Sequence, residues 1–206
     1  MAENALAQRL LSCGAASIYE ALGRNGAMDA TIRPLWTPLG LAGPAFTVRS
    51  TSADNLALHR AVATAPAGVV IVAATDGSVA VPIWGSLLSS ICSNRGILGL
   101  VTDGAVRDSD GIRELSFPVF CAGVGLLGPS KKDPGRLGEV IEIGGARVAP
   151  GDWVVGGGDG VVVVPAASVE EATERAEAVE LRESDMIRRA VAGESTLLQL
   201  GIEERG

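Results

Sequence analysis

The sequence predicts an α/β fold with a central mixed sheet and flanking helices. Three observations carry this. Apolar, largely β-branched runs at Gly68–Ala73, Leu98–Thr102 and Pro118–Ala122 alternate with helical stretches. That pattern predicts parallel strands covered on both faces and joined by right-handed crossovers. Beyond Gly123 the strands become short and Gly-spaced, which predicts antiparallel or mixed pairing. The 206 residues are 47% hydrophobic but only 3% aromatic, so the core has to be built from Val, Ile, Leu and Ala.

The elements follow in order. Residues 4–23 read as helix through Leu6, Leu10, Leu11, Ile18 and Leu22, with a break near Gly14 and a restart at Ser17, which has capping-box spacing to Glu20. Residues 24–44, rich in Gly and Pro, read as loop. Ala45–Arg49 reads as a strand, and Asp54 opens a helix carrying Leu56, Leu58, Ala61 and Val62. Helices are predicted over 85–95, stopped by Gly96, and over about 109–115. Short strands follow at Val140–Ile143, Trp153–Val155 and Val161–Val164, joined by turns at Gly144-Gly145, Pro150-Gly151-Asp152 and Gly156 to Gly160. Ser168 and Glu171 have capping-box spacing again and open a charged helix to about Ala192. No repeat, linker or low-complexity tract divides the chain. It reads as one domain over 1–206, with a helical segment and loop over 1–44 and a C-terminal helix and tail over 168–206.

Composition excludes several chemistries. The only lysines, Lys131 and Lys132, sit in a polar loop flanked by Pro and Gly, a poor setting for a Schiff-base amine that must be desolvated. The single histidine, His59, rules out a His cluster for zinc or iron, and within a helix it reads first as a structural hydrogen-bonding residue. Cys13, Cys92 and Cys121 are odd in number and widely spaced, which predicts a reduced, cytoplasmic protein without a disulfide framework. A net charge of −7 argues against sequence-independent binding to nucleic acid or to an anionic membrane. No apolar run approaches the roughly 18 residues of a membrane span, and the N-terminus lacks the layout of a signal peptide.

Two glycine motifs are discounted. Gly123-Val-Gly125-Leu-Leu-Gly128 matches a dinucleotide fingerprint, but Pro129, Pro134 and Gly135 follow where a helix N-terminus is needed. Gly156-Gly157-Gly158-Asp159-Gly160 lacks the Lys-Ser/Thr of a phosphate loop and reads as a tight turn.

The segment Thr102-Asp103-Gly104-Ala105-Val106-Arg107-Asp108 is different. It lies at the carboxyl end of a buried strand, where open α/β sheets place their ligands. An arginine there can grip a carboxylate with two hydrogen bonds, and the adjacent aspartate can take a hard cation such as Mg²⁺. Upstream, Gly85 sits where a loop becomes a helix, so the backbone N–H groups of Ser86, Leu87 and Leu88 are free for an anion. Arg107, Asp108 and Asp103 are the candidate catalytic residues. Gly85, Ser86, Leu87 and Leu88 together with Arg107 form the candidate substrate site, and Asp108 is the candidate metal ligand. The combination describes a site for a small α-keto acid.

With these residues in view the chain resembles the RraA-like family, which contains class II 4-hydroxy-4-methyl-2-oxoglutarate/4-carboxy-4-hydroxy-2-oxoadipate aldolases, regulators of ribonuclease E activity, and proteins formerly labelled demethylmenaquinone methyltransferases. The stretches that carry the resemblance are Gly43-Pro-Ala-Phe-Thr-Val, Asp54-Asn-Leu-Ala-Leu-His59, Trp84-Gly85-Ser86-Leu87-Leu88, Gly99-Leu-Val-Thr-Asp103-Gly104-Ala-Val-Arg107-Asp108, Phe117-Pro-Val-Phe, and Pro150-Gly-Asp through Asp159-Gly-Val-Val-Val-Val-Pro165. The resemblance implies a swivelling β/β/α fold assembled as trimers or hexamers with sites at subunit interfaces. It also implies Arg107 on the pyruvate carboxylate, Asp108 on Mg²⁺ or Mn²⁺, and the amides of residues 85–88 completing the pocket. One position departs from the pattern. The aldolases usually carry an acidic residue three positions after the metal aspartate, and here that position is Gly111, with Asp110 one residue early.

The expected function is therefore a divalent-metal-dependent aldolase that cleaves a 4-hydroxy-2-oxo dicarboxylic acid to pyruvate, with oxaloacetate decarboxylation through the same enolate. The alternative is a non-catalytic regulator of the ribonuclease E type. The expected partners are a small α-keto acid and further copies of the chain, with neither nucleic acid nor membrane.

Overall fold

The computed structural model describes residues 2–202; residues 203–206 of the expected tail lie outside the described residues. Helix α1 (Ala2–Ala21) leads through a two-residue strand β1 (Arg33–Pro34) into the long strand β2 (Leu41–Arg49). Then come α2 (Leu56–Thr64), β3 (Val70–Ala74), α3 (Ser86–Asn94), β4 (Gly99–Thr102), β5 (Ala105–Val106), α4 (Ser109–Glu114), β6 (Val119–Cys121) and β7 (Gly123–Val124). The remainder is β8 (Arg136–Leu137), β9 (Ile141–Ile143), β10 (Ala146–Val148), β11 (Trp153–Gly157), β12 (Gly160–Val164), the long α5 (Val169–Val191) and a short α6 (Thr196–Gln199).

The main sheet runs in the order β1-β6-β4-β3-β2-β11-β12, with β8 also on β2. The pairs β2–β3, β3–β4 and β4–β6 are parallel, as the alternating pattern predicts, while β2–β11 and β11–β12 are antiparallel. Strand β2 joins the two halves. Its residues 41–44 pair with β11 and its residues 45–49 with β3. The chain just before β1 closes the ring: the Met28 N–H donates to Val161 O at 2.9 Å and the Val163 N–H to Gly26 O at 2.8 Å, along β12. The sheet is thus nearly closed, with helices outside it.

Alternation along the strands separates three apolar clusters. Val70, Val72 and Ala74 of β3 point inward with Val101, Phe120, Val154, Val161 and Val163, beneath the β9–β10 hairpin. Ile71 and Ala73 point outward to Leu58, Leu88 and Ile112 of α2, α3 and α4. Trp153, Val155, Val162 and Val164 face Leu10, Ile18, Ala172 and Ala176 of α1 and α5. Both faces of the central strands are covered, which is why they read as unbroken apolar runs.

Several sequence expectations are corrected. Residues 41–44 are strand rather than loop. Gly43 and Pro44 suggested a loop, yet a Cβ at Gly43 would lie 2.7 Å from Leu98 Cδ1, so the glycine serves close packing inside the sheet. The break at Gly14 is present, with φ 77° inside α1. Neither capping box forms. Ser17 Oγ donates to Glu180 on α5 instead of serving Glu20, and Ser168 Oγ donates to Pro165 O at 3.3 Å. At Ser17 a tertiary partner wins over the local one. Gly157 and Gly160 close a tight hairpin as expected, and after β7 no helix follows Gly128.

Gly156 allows the Phe120 ring to lie against β11: a Cβ there would sit 2.5 Å from Phe120 Cζ. Gly156→Ala is expected to destabilise the protein by about 1–3 kcal/mol through overpacking. Denaturant unfolding followed by circular dichroism checks this, with Gly158→Ala, which has nothing within 4 Å of its Cβ position, as the near-neutral control.

Candidate functional site

The chain leaves the parallel strands β3 and β4 at the same end, and the loops that follow build a small cleft of about 100 Å³. That is well below the roughly 300–1,000 Å³ of drug-sized ligand and cofactor pockets. Residues Ile83 and Trp84 run beside Ala105 and Val106: Ile83 N–H donates to Ala105 O at 3.0 Å and Arg107 N–H to Trp84 O at 2.9 Å. This pairing sets Arg107 and Asp108 directly beside the start of α3. Trp84 is the anchor beneath. It is 2% exposed, stacks on Phe117 at 6.3 Å, and its Nε1 donates to Ser89 Oγ at 2.8 Å.

Gly85 caps α3, with extended backbone that any residue could adopt. Its requirement is steric. A Cβ there would meet Asp108 Oδ2 at 2.6 Å and Arg107 Cγ at 3.3 Å. The absence of a side chain lets the carboxylate approach the helix start, where Oδ2 accepts from the Ser86 N–H and the Ser86 hydroxyl, each at 3.3 Å. A carboxylate at a helix N-terminus is favourable with both the orphan amides and the helix dipole. Asp108 itself holds left-handed backbone, φ 57°, an uncommon state for a residue with a side chain.

Arg107 and Asp108 are each a little under half exposed, and the Arg107 Nε lies 3.7 Å from Asp108 Oδ2. So loose and wet a pair contributes little stability. Among the described residues the Arg107 guanidinium donates no hydrogen bond and Asp108 Oδ1 accepts none. Both side chains are therefore available to a ligand.

The structure brings Gly85, Leu87, Leu88, Arg107 and Asp108 together around the cleft, with Ser86 bonded to Asp108. It does not bring Asp103 there. Asp103 is 8% exposed and holds the loop after β3: Oδ1 accepts from the Thr75 N–H at 2.6 Å and Thr75 Oγ1 at 3.0 Å, and Oδ2 from the Gly77 N–H at 2.9 Å. Both of its oxygens are spent on shaping that loop, outside the cleft. Gly111 faces Ser86, with a Cβ position 3.3 Å from Ser86 Cβ, while Asp110 is exposed.

Three polar lining residues escape the sequence-based site: Asn55, His59 and Lys131. A lone histidine within a helix and a lysine in a polar loop carry no sign in the sequence of this shared placement. Asn55 is 7% exposed; its Nδ2 donates to Ile83 O at 3.1 Å and its Oδ1 has no partner. A buried acceptor left unpaired costs about 1–3 kcal/mol. Burial first, and then the charge of Lys131, push the His59 imidazole below its ordinary value.

Asp54 explains how Lys131 arrives. This carboxylate, 4% exposed, ties the 130–133 loop to the start of α2. It accepts from the Ser130 hydroxyl, the Leu56 N–H at 2.9 Å and the Lys132 N–H at 2.7 Å. Burial works to raise its pKa, but these hydrogen bonds, with one from the Asp133 N–H, outweigh it and hold the carboxyl at about 2. A depressed carboxyl stabilises the fold fully above the unfolded value of about 3.9. That stabilisation is lost as pH falls through about 2.

Two outcomes are expected. Asp54→Asn lowers stability near neutral pH, and its gap to the parent chain narrows between pH 4 and pH 2, as read by denaturant midpoints. Gly85→Ala pushes the Asp108 carboxylate off the α3 start, costing about 1–3 kcal/mol of stability. Denaturant midpoints of the variant and the parent chain measure the loss.

A family model described as RraA-like, aldolase/RraA, matches residues 15–163. A Halalkalibacterium halodurans protein provisionally named a 4-hydroxy-4-methyl-2-oxoglutarate aldolase is 36% identical over 159 residues, covering 77% of this chain and 76% of that one. A crystal structure of an uncharacterized protein from Pseudomonas syringae pv. tomato superposes with a TM-score of 0.82 at 29% identity, over 91% of each chain. Streptomyces coelicolor RraAS2, of the RNase ES inhibitor RraA family, does so with a TM-score of 0.79 at 27% identity, over 89% of this chain and 97% of that one. Fold and family match agree, and the chain belongs to the RraA-like family.

Proposed function

We propose that this protein is a divalent-metal-dependent lyase that cleaves a 4-hydroxy-2-oxo dicarboxylic acid to pyruvate and decarboxylates oxaloacetate through the same enolate. One observation carries the reading: Arg107, whose guanidinium donates no hydrogen bond among the described residues, and Asp108, whose Oδ2 is held by Ser86 and whose Oδ1 is open, stand side by side at the N-terminus of α3. The planar guanidinium is suited to hold the ligand's 1-carboxylate through two parallel hydrogen bonds. The N–H groups of Leu87 and Leu88, which have no helical acceptor, favour the negative charge that grows on the 2-oxo oxygen as the C–C bond breaks.

Asp108 fits a hydrated cation. Its Oδ2 is engaged by Ser86, and its Oδ1 is open. Mg²⁺ keeps several waters and takes only one or two carboxylates, so one aspartate together with a 2-oxo acid is a sufficient donor set. No group of three or more His, Cys, Asp or Glu gathers for a metal among the described residues, which leaves Asp108 as the anchor. Such a cation would supply Lewis acidity toward the 2-oxo oxygen.

Exposed Leu87, Leu126 and Leu127 border this region, at 66%, 92% and 62%. They favour a homo-oligomer, trimer or hexamer, with the cleft near an interface. Light scattering after gel filtration should show more than one chain.

Gly111 favours a second reading, a non-catalytic binding protein, because no acidic side chain there supports a metal-bound water. A coupled pyruvate assay with Mg²⁺ or Mn²⁺ decides. Turnover of either substrate class is expected, and Arg107→Ala should lower kcat/KM about 100-fold, the weight of two charged hydrogen bonds. Asp108→Ala should abolish the metal dependence. A folded protein that forms no pyruvate and binds none in calorimetry with Mg²⁺ supports the regulator reading instead.

A further inference from the structure

An arginine beside an aspartate tends to close into an ion pair, and groups spent on each other hold neither a carboxylate nor a cation. At Arg107 and Asp108 the backbone leaves this choice to the side chains. The Arg107 N–H is held on Trp84 O at 2.9 Å, and Asp108 is fixed in left-handed conformation at the start of α4. Three donors then face Asp108 Oδ2. The Ser86 N–H and the Ser86 hydroxyl each stand at 3.3 Å, and the Arg107 Nε at 3.7 Å. The serine donors form long hydrogen bonds, and the arginine lies beyond hydrogen-bond distance. Ser86 holds the oxygen for which Arg107 competes, and among the described residues its hydroxyl donates to no other acceptor. Two glycines make room for this. A Cβ at Gly85 would come within 2.6 Å of Asp108 Oδ2, and one at Gly111 within 3.3 Å of Ser86 Cβ and 3.7 Å of its Oγ.

We propose that Ser86 is a positioning residue: its hydroxyl draws Asp108 Oδ2 toward the α3 N-terminus and away from the Arg107 guanidinium, so that arginine and aspartate both stay open to ligands. This rests on the reading of Asp108 as the cation group and Arg107 as the anion group of the cleft. It assigns the Ser86 hydroxyl to keeping the two from neutralising each other rather than to the ligand.

Mn²⁺ alone is the probe, titrated into the full chain and followed by electron paramagnetic resonance, with thermal unfolding of each variant alongside. Ser86→Ala, or Ser86→Gly should the first not fold, is expected to weaken Mn²⁺ about tenfold, the usual weight of a group that orients a metal ligand. The unfolding midpoint of Ser86→Ala should stay level with the parent's. Ser86→Thr, which keeps the hydroxyl, should bind within about threefold of the parent. The arginine's part is read in Arg107→Met, where no guanidinium competes for Oδ2. Adding Ser86→Ala to that variant should cost no more than about twofold, because the two residues contend for one oxygen. A Ser86→Ala loss of equal size in both backgrounds overturns the proposal. So does the absence of any loss in the parent background, or a loss that Ser86→Thr shares in full. Each of these leaves the metal reading standing where Asp108→Ala abolishes binding. Parent protein that binds no Mn²⁺, or that binds it as well with Asp108→Ala, overturns both.

Discussion

Two-sided burial of β3, β4 and β6 is the constraint on which the rest depends. Val70, Val72, Val101 and Phe120 need an interior, and the curled sheet with its β9–β10 cover supplies it. Ile71, Leu100 and Val119 need an exterior cover, and α2, α3 and α4 supply that. The helices that satisfy this demand also return the chain, so the loops after β3 and β4 emerge together at the carboxyl ends, where open α/β sheets hold ligands. Arg107 and Asp108 stand on that framework. Their positions are set by backbone hydrogen bonds to Ile83 and Trp84, and not by a mobile loop.

Local strain gathers at the same place. Asp108 holds a left-handed backbone, and Asn55, a residue of the cleft lining, keeps a buried acceptor without a partner. Departures from local preference of this kind cluster at functional sites, where the surrounding structure enforces them. Ser89, Trp84 and Phe117 are that surrounding structure: a buried stack and hydrogen bond beneath Gly85.

The parallel half of the fold was legible because strands covered on both faces leave unbroken apolar runs in the sequence. The first half of β2 was not, because Gly43 and Pro44 look like loop residues, and the contact with Leu98 that demands a glycine is distant in sequence. Ser17 and Ser168 carried valid capping spacing, but Glu180 of α5, distant in sequence, takes the Ser17 hydroxyl, and the 3-10 turn before α5 gives the Ser168 hydroxyl to Pro165 O. In the site, Arg107 and Asp108 stood out as charges closing a buried strand. Asp103 looked the same and differs only in where its oxygens go. Asn55 and Lys131 lie 76 positions apart, and the hydrogen bonds from Ser130 and Lys132 to Asp54, with the backbone bonds that Ser130 makes to Ala53 and Asn55, bring them together.

The short run from Gly26 to Pro34 has a consequence for association. One end of it bonds along β12 and the other pairs with β6, so a single strap occupies both borders of the main sheet. Exposed strand borders are templates on which other chains add strands, the usual route to domain swapping and fibrils. A sheet whose borders are taken up by its own chain leaves side-chain surfaces as the ground for self-assembly. The leucines around the cleft are such a surface, and contact made through them is free to be specific where contact through backbone would not be.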